Sequence, residues 1–125
     1  MRYFKKLLVA KVLAMAAVCG SLVADVQAAL PGGGSRYDQH RVEANDADVF
    51  ELVFSAEREA VVTVKGDGDT DLDLYVYDRH GNLIVCDEGL SDSCIVRFWP
   101  FRTGNFRIVV RNRGKVFNVY DIAAA

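Results

Sequence analysis

Apolar residues in this chain recur at every second position, in short runs broken by turn residues, and that period admits strands and excludes helices. Phe50, Leu52 and Phe54 alternate with Val49, Glu51 and Val53. Ala60, Val62 and Val64 alternate with Val61, Thr63 and Lys65. Leu72, Leu74 and Val76 alternate with Asp73, Tyr75 and Tyr77, and Phe106, Ile108 and Val110 with Arg107, Val109 and Arg111. Each run reads as a strand with one buried face. Weaker candidates are 36–43, 83–87, 94–99 and 116–122. Gly66 and Gly68, His80-Gly81-Asn82, Gly89, Pro100 with Gly104, and Gly114 punctuate them. Seven or eight short strands joined by short turns predict an all-β fold, an antiparallel β-sandwich over residues 36–125. Leu72, Leu74, Val76, Phe106, Ile108 and Val110 are the expected core.

The 125-residue chain begins with a different pattern. Arg2, Lys5 and Lys6 precede an apolar stretch, and Val26-Gln27-Ala28 follows with small or aliphatic residues where a signal peptidase cuts. Residues 1–28 therefore read as a removable export signal. Lys11 shortens the uncharged stretch below what a membrane span requires. Residues 29–35, with Pro31 and Gly32 to Gly34, read as a flexible leader. The expected location is the periplasm or the outside of the cell. Hydrophobic residues make up 51% of the chain, too many for a disordered polymer. Removing the basic signal leaves a net acidic chain, which argues against nucleic acid as a partner.

Cleavage would leave two cysteines, Cys86 and Cys94. An even count in an exported chain predicts one disulfide between them, tying neighbouring strands near their loop. Acidic residues dominate from Asp38 to Cys94, and basic ones from Ile95 onward. Arg97, Arg107, Arg111 and Arg113 either neutralise the acidic strands or form a basic face for an anionic partner.

Asp67, Asp69, Asp71 and Asp73 occupy alternate positions of one segment. Two readings are open. Such a cluster is a solvated turn, or it offers oxygens to calcium, which takes about 6–8 from flexible loops. A helix-loop-helix calcium hand is excluded, because Leu72 stands where that loop needs glycine. Asp67, Asp69 and Asp71 would converge from the loop, and Glu43 and Asp46 would complete the shell if the first strand runs alongside.

Tyr75 and Tyr77 are expected on the outward face of their strand, as an aromatic platform with polar tips. In Phe98-Trp99-Pro100-Phe101, Phe98 is expected to close the core, leaving Trp99 or Phe101 at the rim. The two mature-chain histidines, His40 and His80, read as surface and turn residues. No Gly-x-Ser-x-Gly elbow or His-Glu-x-x-His pair occurs. The expectation is therefore no enzyme, but a secreted binding module contacting protein or glycan through Tyr75, Tyr77 and Trp99. The alternative is a structural or envelope-associated interaction protein without a small ligand.

The run Asp69–Asp78, DTDLDLYVYD, with its Gly81-Asn82 turn, resembles the bacterial pre-peptidase C-terminal domain. Gly104–Val110, GNFRIVV, matches that family's G-x-[YF]-x-[IV]-x-V strand, and Val119–Ile122 its closing strand. Asp46–Phe50 is similar to its early D-x-D-x-[YF] segment. The resemblance implies a jelly-roll-like sandwich of the kind attached to secreted peptidases. Related collagen-binding domains hold calcium with acidic residues that would fall here on Glu43, Asn45, Asp46, Asp69 and Asp71.

Overall fold

The computed structural model describes residues 36–125; the expected signal (residues 1–28) and leader (29–35) lie outside the described residues. Eight strands follow one another: β1 (Arg36–Val42), β2 (Ala47–Phe54), β3 (Ala60–Lys65), β4 (Leu72–Tyr77), β5 (Leu83–Asp87), β6 (Ser93–Phe98), β7 (Gly104–Asn112) and β8 (Asn118–Ala124). They form two four-stranded sheets, ordered β1-β8-β3-β6 and β2-β7-β4-β5, with every pairing antiparallel. Only the β4–β5 hairpin stays within one sheet; every other connection crosses between sheets. This is the expected antiparallel sandwich.

The period-two faces land as the alternation requires. Leu72, Leu74, Val76, Phe106, Ile108 and Val110 are all buried, together with Phe50, Leu52, Phe54, Val62, Val64, Val96 and Ile122. Register explains the fit: Leu74 lies opposite Val110 and Val76 opposite Ile108, so the inward sets of β4 and β7 share one layer. Phe98 closes one end of the core against Phe54 and Phe106, with ring centroids 5.4 and 5.3 Å away. The last strand starts at Asn118 rather than at 116, because Val116 and Phe117 belong to the exposed turn before it.

Turn chemistry sets the one hairpin. The Asp78 carboxylate accepts from the amides of His80 and Asn82 at 2.8 and 2.9 Å and from the Asn82 side chain at 3.0 Å. Gly81 turns the chain at φ 88°, which a Cβ would disfavour. Burial pulls the Asp78 carboxyl upward, but the Asn82 and His80 donors outweigh it and hold its pKa below the ordinary value.

The expected Cys86–Cys94 bridge is not made. β5 and β6 belong to different sheets. Cys94 sits on the inward face of β6, buried, with its thiol 3.1 Å from the Leu72 carbonyl. Cys86 sits opposite Tyr75 on the outer face of the other sheet and is exposed. One residue faces the core and the other faces away from it, on strands of different sheets. What joins these edges instead is the Asp87 carboxylate, which accepts from the Ile95 amide at 3.0 Å.

The strand directions give the sandwich two distinct ends. Loops 43–46, 66–71, 88–92 and 113–117 gather at one, which is rich in carboxylates. Loops 55–59, 78–82 and 99–103 gather at the other, together with Ala125.

Candidate functional site

At the acidic end, two buried asparagines organise the loops. Asn112 ends β7; its amide donates to the carbonyls of Val116 at 2.8 Å and Glu43 at 3.1 Å, and its oxygen accepts from the Gly114 amide at 2.8 Å. Asn118 opens β8 and donates to Thr70 Oγ1 at 3.0 Å and Asp92 Oδ2 at 3.1 Å, while accepting from the Asp67 amide at 3.1 Å. The chain passes so close here that a Cβ on Gly66 would overlap the side chains of Asp92 and Asn118. The sequence reading missed Asn112, Asn118 and Asp92. Asparagines at strand ends facing inward are the only local signal for the first two.

Three of the five expected calcium ligands have other engagements. Glu43 pairs with Arg41, with Oε2 2.7 Å from Nε. Asp46 caps its own strand through the Ala47 amide at 2.8 Å. Asp67 accepts from the amides of Asp69 at 3.1 Å and Val119 at 2.9 Å. Asp69 is exposed. Asp71 differs: its Oδ1 is enclosed and has no hydrogen-bond partner. Burial, then the charge of Asp73, raises the Asp71 pKa against the opposing pull of Arg113. Asn45 adopts φ 56° and donates its amide to the Gly114 carbonyl at 3.0 Å. Asp48, next along the chain, is buried and accepts from the Tyr120 hydroxyl at 2.6 Å. Among the described residues no group of three or more His, Cys, Asp or Glu side chains is arranged to hold a metal ion. In this arrangement the five do not form a coordination shell.

Tyr75 and Tyr77 lie on the outer face of β4, as alternation requires, but half-buried rather than standing free. Their rings stack, with centroids 6.3 Å apart and planes 21° from parallel. The Tyr75 hydroxyl donates to Glu88 Oε2 at 2.7 Å. Burial and that carboxylate push its pKa well above the ordinary phenol value. Beside the tyrosines, Asp73 is buried against Arg113, 2.7 Å from Nε, and Glu51 lies 2.9 Å from Arg107. With Arg97 3.8 Å from Glu59, three of the four late arginines pair with acids earlier in the chain. The basic-face alternative loses most of its charge to these pairs.

Trp99 is 63% exposed and Phe101 89% exposed, on the loop from β6 to β7, with the Arg102 guanidinium 5.8 Å above the Phe101 ring. Trp99 continues the outward alternation of Ile95 and Arg97 in the other sheet, and among the described residues no ring contact joins it to the tyrosine pair. The structure therefore does not unite the three expected contact residues in one patch. The sequence reading also missed Tyr37 and Ile95, both exposed on the same outer face as Arg97.

No protein-family model matches the chain, and no curated protein sequence matches it. Solved structures do. The pre-peptidase C-terminal domain of a Bacillus anthracis collagenase superposes with a TM-score of 0.64 at 11% identity, covering 78% of this chain and 94% of that one. The Yersinia pseudotuberculosis-derived mitogen gives 0.55 at 8% identity, covering 74% and 85%. The Aeromonas hydrophila periplasmic inhibitor of g-type lysozyme gives 0.51 at 15% identity, covering 78% and 92%. At such identities the likeness concerns the backbone, and there it agrees with the motifs read from Asp69–Asp78 and Gly104–Val110: this chain has the fold of a pre-peptidase C-terminal domain.

Proposed function

We propose that this chain is an exported, non-catalytic binding module that contacts a protein or glycan through surface aromatic side chains. The observation that carries this reading is the Trp99–Phe101 loop, which leaves two large rings in water at one end of a rigid sandwich. Exposed aromatics of this size are the side chains that dominate binding interfaces. The stacked Tyr75 and Tyr77 offer a second, flatter contact. A neighbour of the same fold is a periplasmic lysozyme inhibitor, a protein that acts by binding another protein, which supports the reading by analogy of fold. Among the described residues no helix is long and apolar enough to cross a membrane.

Trp99 is the chain's single tryptophan, so its fluorescence reports this loop alone. The free protein is expected to emit at the red-shifted wavelength of water-exposed indole. Titration with g-type lysozyme and with soluble peptidoglycan fragments should shift the emission to the blue for the partner class that binds. Phe101→Ala should then weaken that binding about tenfold or more. Emission unchanged across both probe classes, or binding indifferent to Phe101→Ala, counts against the loop as the contact surface.

A second reading, calcium stabilisation of the acidic end, is favoured by one observation, the enclosed and unpartnered Oδ1 of Asp71. It requires the Asp67 carboxylate to exchange the amides of Asp69 and Val119 for the ion and the exposed Asp69 to turn toward it, with Glu43 and Asp46 brought in behind them. Binding to the folded state alone stabilises by about 2.7 kcal/mol at a hundredfold excess over Kd. For a domain of this size that raises Tm by roughly 10 °C. Under this reading millimolar calcium raises the melting temperature of chelator-treated protein, magnesium does so far less, and Asp71→Ala removes the effect. Identical melting with and without calcium leaves the hydrogen-bonded loops as the whole account of this end.

A further inference from the structure

At the end opposite the acidic loops, a cavity of about 280 Å³ opens between the start of β1, the end of β2 and the loop before β7. Its lining includes Arg36, Phe54, Ser55, Arg58 and Thr103. Arg36 is the unusual member. It is only 3% exposed, yet among the described residues no side-chain carboxylate forms an ion pair with it. Its Nη1 donates to the Val53 carbonyl at 3.2 Å, its guanidinium lies 5.2 Å from the Phe54 ring centre, and its Nε has no acceptor. A buried cation without a counter-ion is costly, and the neutral carbonyl and the ring face offset only part of that cost.

The surrounding charge deepens the deficit. Burial first, and then the like charge of Arg58, lower the Arg36 pKa. Glu57, Glu59 and Ala125 stand on the same lining, and Glu59 lies 3.8 Å from Arg97. Two guanidinium groups thus share one cavity, and the buried one keeps donors to spare. We propose that this cavity is a carboxylate-binding site, with Arg36 as its buried anchor and Arg58 as its rim cation. A guanidinium whose Nη1 is already engaged still presents a planar edge, and a carboxylate matches that edge with two parallel hydrogen bonds. The volume suits a small organic acid or a single acidic side chain, not a drug-sized molecule. The site does not rest on the aromatic contact surfaces, and its test reads Arg36 directly.

The test is a titration of 15N-labelled protein, following the Arg36 Nε–H resonance. Succinate and a short glutamate-containing peptide serve as carboxylate probes, with inorganic phosphate and sodium chloride at matched ionic strength alongside. The expected result is a saturable shift with succinate or the peptide at concentrations at least tenfold below any effect of chloride. Tighter binding of the peptide identifies a protein's acidic side chain as the source; equal or tighter binding of succinate identifies a free acid. Arg36→Met should abolish the response, seen then through the Thr103 amide. Arg58→Gln, an exposed change that leaves the fold intact, should weaken it about tenfold. A succinate response no stronger than chloride's, a response that survives Arg36→Met, full affinity in Arg58→Gln, or saturation by phosphate alone overturns the assignment.

Discussion

Replacing Leu74 with alanine is expected to destabilise the domain by about 2–5 kcal/mol, the range for deleting a buried leucine side chain and leaving a partial cavity. Leu74 is 0% exposed. It sits on a central strand of its sheet, opposite Val110 on β7 and Asp87 on β5, and faces the layer contributed by the other sheet. In a domain of this length each kcal/mol moves Tm by roughly 4–8 °C. The variant should therefore melt at least about 10 °C lower by calorimetry or circular dichroism, with an unchanged denaturant slope. Ile95→Ala, on the exposed face of edge strand β6, is the matched control and should change stability by less than about 1 kcal/mol. Because a one-residue slip exchanges the two faces of a strand, a loss below about 0.5 kcal/mol at Leu74 would reverse the assigned register of β4.

That register was legible because burial on a sheet repeats every second residue; β3 and β7 keep the repeat throughout, and β2 and β4 depart from it only at the buried, arginine-paired Glu51 and Asp73. Even the weaker segments resolved to strands within two residues of their expected bounds. What sequence periodicity does not carry is which sheet a strand joins. Cys86 and Cys94 stand close along the chain, and their pairing looked natural for a hairpin. The chain between them instead crosses from one sheet to the other, so one thiol faces the core and the other the exterior. The acidic segment was legible as a concentration of charge, but its partners come from two distant places: Asp92 before β6, and Asn118 with the amide of Val119 at the start of β8. Those contacts depend on topology. Arg36 was hidden for a related reason. At the start of a weak, polar strand it reads as a solvated charge, and only the closure of the β2–β3 loop and Thr103 over it makes it an interior residue.

Asn112 is the residue whose loss should cost most among the polar ones. It is 0% exposed and ties two chain segments to the end of β7: the loop after β1 through Glu43, and the β7–β8 turn through Gly114 and Val116. Alanine leaves the Val116 carbonyl and the Gly114 amide without partners, each costing about 1–3 kcal/mol where water cannot replace the bond, and leaves the Glu43 carbonyl with the Asp46 amide at 3.2 Å alone. The loop end admits water to some of them, so a loss of about 3 kcal/mol is expected for Asn112→Ala. Asn112→Asp separates hydrogen bonding from volume. The aspartate keeps an acceptor for the Gly114 amide but, when ionised, turns a charge toward the Glu43 and Val116 carbonyls. Its folded-state pKa should therefore rise above the unfolded value near 4. A group with a raised folded pKa leaves stability intact below its unfolded pKa and loses it as pH climbs through the folded one. Asn112→Asp should accordingly lie close to wild type in acid, where its protonated carboxyl still donates one hydrogen bond. Relative to wild type it should fall away above about pH 4 until the deficit exceeds that of alanine. Chemical denaturation of both variants and wild type across pH 3–8 checks this. A deficit for the aspartate variant that is constant with pH would place Asn112 in contact with water and remove it as the tie between these loops.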